Sequence, residues 1–341
     1  MKELAQISKS FNDSSFNVQS QIVENIFQKI VHPNPLASDC ENIHQKQGII
    51  CPHCGKSNII FNGKTKDIQN YYCKNCFKYF NEFSGSTIRY IKKKEKLKPY
   101  LFLMLTGSSI EKCALGVHIS IQTSFDWRHK IIAAIKNHIL KEFGGITELI
   151  HSTIKFSRKG QGAKAKKIGQ KGKITDPASN KKQETIEKNG YSPLSLVAIS
   201  DRNQNFEIKV VQQGELTLEQ VIDQLGKRVN KVKKLCLDEN VILKQFAGKK
   251  KISYFVRIPD KKVKGCNKYY HTDNIRMRLQ KLEGFLERFR GVSSSYLQNY
   301  LYWYMMMDQI VNLFDPSTAM LEKSISSING KEIYKNCKMF A

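Results

Sequence analysis

Cys51, Cys54, Cys73 and Cys76 stand as two Cys-x-x-Cys pairs with 18 residues between them, a spacing that fits one tetrahedral zinc ion held by two short turns. Each pair lies in a turn-forming setting, Cys51-Pro52-His53-Cys54-Gly55 and Cys73-Lys74-Asn75-Cys76, so the backbone can fold back and aim both thiolates at one point. A chance grouping of thiols in a core and a pair of disulfides are the other readings of the same residues. Four thiolates complete the tetrahedron without His53, which sits inside the first turn. The ion would therefore hold structure and perform no chemistry.

The elements that must position these thiols are short strands. Asn58 to Lys64 is an apolar run ending in an Asn-Gly turn signal, and Tyr71-Tyr72 leads into the second pair, the pattern of a zinc ribbon. The other cysteines, Cys40, Cys113, Cys236, Cys266 and Cys337, are scattered and odd in number, which suits a reducing compartment better than a secreted disulfide framework.

Composition indicates the partner. The 341 residues carry 56 Lys and Arg against 30 Asp and Glu, a formal charge of +26 that favours a polyanion, with nucleic acid ahead of a membrane surface. No run of 18 apolar residues and no signal-peptide pattern occurs, so the expectation is an intracellular protein that works on DNA and not in a membrane.

The pattern along the chain predicts a multidomain α+β protein. Residues 1–47 hold one helical stretch, Asn17 to Ile30, ended by His32-Pro33-Asn34-Pro35; the ribbon covers 48–88; and 92–141 reads as a helix-turn-helix unit. In that unit Ser120 caps the second helix, placing Gln122, Thr123, Ser124, Asp126, Arg128 and Lys130 toward a DNA groove and Ile121, Phe125 and Ile132 toward the core. Trp127 reads as a packing residue. Over 147–312, strands at Leu149–Phe156, Leu194–Asp201, Phe206–Val211, Lys234–Asp238 and Ser253–Val256 alternate with a helix at Leu216–Val229 and end in helices at Thr272–Arg290 and Ser294–Val311. Three strands, a helix and a strand in this sequence are the order of an RNase H-like α/β fold. A lysine- and glycine-rich insertion, 157–190, cannot build a core, yet Arg158, Lys159, Lys166 and Lys167 within it suit a phosphate backbone. The tail, 313–341, and the first residues carry no evident part.

Several pieces occur in a specific order: Cys51-Pro-His-Cys-Gly55, Tyr72 to Phe80, Phe83 to Thr87, Trp127-Arg-His-Lys130, Leu282 to Val292, and Tyr296 to Trp303. Together they resemble the zinc-ribbon transposases of bacterial insertion sequences of the ISXO-like kind, related to Merlin elements, over roughly residues 48–310. The resemblance implies DNA transposition, with ribbon and helix-turn-helix binding transposon ends in double-stranded DNA and a homodimer bringing two ends together. The aromatic stretch Tyr300–Tyr304 suits a dimer contact or core packing equally.

The resemblance also implies a catalytic triad of Asp, Asp and Asn or Glu that holds Mg²⁺ through oxygen ligands. Anchoring on Ser157, Lys159 and Gly160 places the first Asp position at Ile150, or at His151 after a one-residue slip. The second matches Asp238, and the third, five residues after His271, falls on Arg276. Glu148 and Asp273 are the nearest substitutes, Asp273 the better of the two. With two oxygen ligands lost, Arg276 is expected to pair with Asp238, and the chain reads as a catalytically impaired transposase or as a DNA-binding protein of transposase descent.

Overall fold

Three short strands frame the cysteine turns in the computed structural model. It describes residues 39–40, 42–43, 48–65, 68–136, 138, 142–159, 192–256, 269–310, 313 and 316–325; the helix expected over 17–30 and Lys166 and Lys167 lie outside them. The chain divides into two units, 1–128 with 315–328 and 129–314 with 329–341.

In the first unit β1 (Ile59–Thr65), β2 (Ile68–Cys73) and β3 (Tyr79–Asn81) pair antiparallel in that order. Alternation along β2 sends Gln69, Tyr71 and Cys73 to a buried face and Ile68, Asn70 and Tyr72 to the other. The buried face packs Cys51, Tyr71, Cys73 and Phe80 with Ile49, Cys54, Ile59 and Cys76. That core is too small to hold three strands unaided.

Leu97, Tyr100, Leu101 and Met104 recur at helical spacing, which makes one buried stripe of α1 (Leu97–Leu105). Two further helices follow, α2 (Ile110–Gly116) and α3 (Ile121–Lys136), joined by residues 117–120. Ser109 Oγ accepts the Lys112 amide and Ser120 Oγ the Thr123 amide, so both helices start on side-chain caps. Trp127 is buried edge-on against Tyr100, with ring centroids 5.4 Å apart. The tail has more part than its sequence suggests. Its helix α8 (Pro316–Ile325) packs on α1 and buries Met320, Leu321 and Ile325.

The second unit is built on a five-stranded sheet of order β6-β5-β4-β7-β8, formed by β4 (Gly144–Ile154), β5 (Leu194–Asp201), β6 (Phe206–Gln213), β7 (Lys231–Leu237) and β8 (Ser253–Val256). β4 pairs antiparallel with β5 and parallel with β7, and β7 is parallel to β8. Every residue of β5 is buried, as its near-continuous apolar run requires of an interior strand. One face packs Leu149, Val197, Ile199, Leu235 and Leu237 against α4 (Leu218–Leu225) and α5 (Val241–Lys249). Each such side chain removed from water contributes about 1.5–3 kcal/mol. The helices α6 (Asp273–Glu287) and α7 (Leu297–Ile310) pack on β4, β5 and β6. This mixed α+β arrangement, three antiparallel strands followed by parallel ones, is compatible with the RNase H-like order expected from the sequence.

The elements expected within the described residues recur with shifted ends, and β3, α5 and α8 stand beyond that expectation. Tyr300, Leu301, Tyr302, Trp303 and Tyr304 are all buried, so this stretch of α7 is spent on core packing, with Phe285 and Phe289 of the α6 region edge-on to Trp303 and Tyr300.

Lys159 closes the C-terminal end of α6. Its Nζ donates to the carbonyls of Phe289 (2.8 Å), Arg290 (3.2 Å) and Gly291 (3.0 Å), where Arg290 and Gly291 take positive φ. The ammonium thus satisfies the end of a helix and complements its negative pole. Lys159→Met is expected to lower stability by about 1–2 kcal/mol in urea unfolding, whereas Lys159→Arg retains most of it.

Candidate functional site

The cysteine cluster is built from two matching turns. Gly55 N donates to Cys51 O and Cys51 N to Lys56 O; in the second turn Phe77 N donates to Cys73 O and Cys73 N to Lys78 O. The residue after each second cysteine takes positive φ, Gly55 at 71° and Phe77 at 58°. Glycine adopts this without cost, whereas Phe77 is strained by about 1 kcal/mol or more.

The four Sγ atoms lie within 4.8 Å of one another, with Cys51–Cys76 and Cys54–Cys73 each 3.6 Å apart, and all four are free of disulfides. Thiolates around zinc at about 2.3 Å stand about 3.8 Å from each other, so the cluster fits a tetrahedral ion. Its protons fit as well. Burial opposes ionisation of Cys73, but the amides of Cys76 and Asn75 outweigh it and bring that thiol down to about 7. Burial and the three neighbouring sulfurs push Cys76 up to about 12, so four thiolates together need a cation among them.

The second constellation lies in the sheet unit. The register Glu148↔Cys236 and Leu149↔Leu237 puts Ile150 beside Asp238, just past the end of β7. Ile150 is 3% exposed and offers no ligand. Arg276 Nη2 donates to Asp238 Oδ1 at 2.8 Å, Thr272 Oγ1 reaches the same oxygen at 3.2 Å, and Arg276 Nε donates to Thr272 Oγ1 at 3.1 Å. The structure thus brings Asp238 and Arg276 together as an ion pair.

Glu148 does something the sequence did not disclose. Its side chain, 2% exposed, accepts from Arg202 Nη1 (2.5 Å), Asn274 Nδ2 (2.9 Å) and the Ile275 amide (2.9 Å), with His271 Nδ1 at 3.6 Å. Thr272, the residue preceding α6, makes no side-chain cap because its hydroxyl is turned to Asp238. Glu148 supplies the missing acceptor from the neighbouring strand and caps α6 at a distance in sequence. Nothing in the spacing marks Arg202 or Asn274 as its partners. In register beside Glu148, Cys236 is pushed up to about 11 by burial and stays a neutral thiol.

His151 points to the opposite face from Ile150. Its Nε2 lies 3.3 Å from Ser195 Oγ and its Nδ1 3.5 Å from Asn240 Nδ2, while Asn240 Oδ1 caps α5. The structure does not bring it to Asp238. Burial lowers the His151 pKa below its ordinary 6.5, so its contribution to stability is complete above that pH and is lost as pH falls through the depressed value. Urea midpoints across this range should fall at the acidic end in the parent chain and less steeply in His151→Asn.

The positions that the sequence resemblance assigns to magnesium do not fit that ion. Mg²⁺ asks for several oxygen ligands in octahedral array, and here each carboxylate is held by a guanidinium. Among the described residues the four cysteines alone bring three or more His, Cys, Asp or Glu ligand atoms together. Asp273 lies 3.7 Å from His271 Nδ1 and does not join such a group.

The residues expected on DNA divide. Gln122 is exposed, Thr123 and Lys130 are half-buried, and Arg158 is half-buried. Ser124 and Arg128 are fully buried and turn inward: Ser124 Oγ donates to Ile110 O and lies 3.0 Å from Tyr100 Oη, and Arg128 Nη2 donates to Ser108 O at 2.7 Å and to Cys113 Sγ at 3.2 Å. These hydrogen bonds lock α2 to α3. Ile121, expected in the core, is 59% exposed because the helix turns that side to solvent. Lys159, expected on phosphate, serves α6 as described. No helix among the described residues is long and apolar enough to cross a membrane.

No family model matches the chain, and no curated protein matches it. Among solved structures, one described as the crystal structure of a pre-cleavage Mos1 transpososome is similar over 93% of this chain and 92% of that chain, at 10% identity and a TM-score of 0.26.

Proposed function

We propose that the chain is a duplex-DNA-binding protein of transposase type, anchored by a zinc ribbon, whose strand-cutting centre has been closed by arginine. The charge of +26, the fit of four thiols to zinc and the paired helices α2 and α3 support the binding half. Gln122 and Thr123 at the start of α3, with Lys130 two turns further along it, are the groove-facing candidates that remain accessible. Transposon ends are the sites that the sequence resemblance implies.

The observation that carries the second half is the Asp238–Arg276 pair with Ile150 beside it. A guanidinium at bonding distance from the second carboxylate repels Mg²⁺ and occupies the oxygen the ion would use. The test is incubation of the zinc-loaded chain with supercoiled plasmid in Mg²⁺ or Mn²⁺ beside a duplex gel-shift assay. Retarded duplex without nicking is expected. Metal-dependent nicking that Asp238→Ala abolishes would return the chain to the active transposases, and absence of duplex affinity at moderate salt would remove the binding half.

A further inference from the structure

On the face of the ribbon sheet away from the cysteines, one apolar row lies open. Ile60, Tyr72 and Tyr79 are direct cross-strand neighbours on β1, β2 and β3, and the rings of Tyr72 and Tyr79 stand 4.8 Å apart, tilted at 46°. Tyr79 is 66% exposed and Ile60 42%, and the ribbon core draws its members from the opposite face. Soluble proteins cover or break up such rows unless a partner uses them.

The charge of the segment that carries this row indicates the partner's chemistry. Residues 48–81 contain five lysines against a single acid, Asp67, and Lys56, Lys74 and Lys78 are exposed. Aromatic rings on an open sheet, in a segment whose charge is basic, match a polyanion that also presents flat apolar faces. Unpaired nucleobases have both properties; in a duplex the base faces are already stacked on each other and only the phosphates are available.

We infer that the Ile60–Tyr72–Tyr79 face is a second nucleic-acid site, which takes unpaired DNA bases by stacking while nearby lysines hold their phosphates. This deepens the DNA-binding reading and rests on it. The site is sequence-tolerant, because every base offers a π-face, and it suits a strand splayed from a duplex held elsewhere on the chain.

The test measures affinity of the zinc-loaded full chain for oligothymidylate and for a mixed-sequence duplex, with Tyr79→Ala and Tyr79→Phe. Tyr79 is exposed, so neither substitution removes core packing, and zinc content checks the fold. Tyr79→Ala should weaken oligothymidylate binding about tenfold and leave duplex binding within about twofold, while Tyr79→Phe keeps both. Equal affinity of parent and Tyr79→Ala for oligothymidylate overturns the inference, as does self-association of the chain that Tyr79→Ala abolishes. Duplex binding without any single-strand binding leaves the proposed function standing and removes only this site; loss of both ligands from the parent chain removes the two together.

Discussion

Stripping zinc with a chelator, or replacing Cys73 with Ser, is expected to unfold residues 48–85 and lower duplex affinity at least about tenfold while the five-stranded sheet stays folded. The apolar core behind the ribbon consists of Tyr71 and Phe80 with a few half-buried neighbours and the cysteines themselves. Structural zinc sites contribute apparent binding energies on the order of 10 kcal/mol, far more than two aromatic side chains supply. Metal analysis should return one zinc per chain in the parent and none in Cys73→Ser. Proteolysis should then cut within the ribbon first. A Cys73→Ser chain that keeps zinc, protease resistance and full duplex affinity would refute the assignment.

The second large effect concerns Glu148. Glu148→Ala removes the acceptor for Arg202, Asn274 and the Ile275 amide at once, in a setting where the carboxylate is 2% exposed. Breaking a buried pair and orphaning two further donors costs about 3–5 kcal/mol, and α6 should fray from its first turn. Asp238→Asn is the internal control. That pair has side chains 22% and 44% exposed, and an ion pair so solvated is worth under about 1 kcal/mol. Comparison of the two urea midpoints separates a carboxylate that holds the fold from one that contributes little to it. Equal losses from both substitutions would show that the exposed pair holds the fold as firmly as the buried one.

The parts of this molecule that local chemistry specifies are legible in its sequence. Paired Cys-x-x-Cys turns and the strands over Leu194–Asp201 and Phe206–Val211 each announce themselves by residue type and period. The Asp238–Arg276 pair was likewise anticipated, since opposite charges placed at two positions of one centre have few alternatives. What escaped depended on partners remote in sequence. Ser124 and Arg128 are polar and fall in the first half of a helix, so they read as outward-facing; Tyr100, Ser108 and Cys113 satisfy them inside instead. Glu148 looked like a distant substitute ligand because nothing in its strand foretells Arg202 or the start of α6. Helix α5 was missed because Val241 to Lys249 mixes apolar residues, a glycine and lysines without a clean stripe, and its start depends on one capping residue, Asn240.

The most direct measurement is a Mn²⁺ titration followed by electron paramagnetic resonance, on the zinc-loaded chain bound to duplex. With Arg276 seated on Asp238, the titration should match that of Asp238→Asn and show no ion held by this centre. A bound Mn²⁺ present in the parent and lost in Asp238→Asn would contradict the account, because it would mean that the guanidinium yields its place to a catalytic metal.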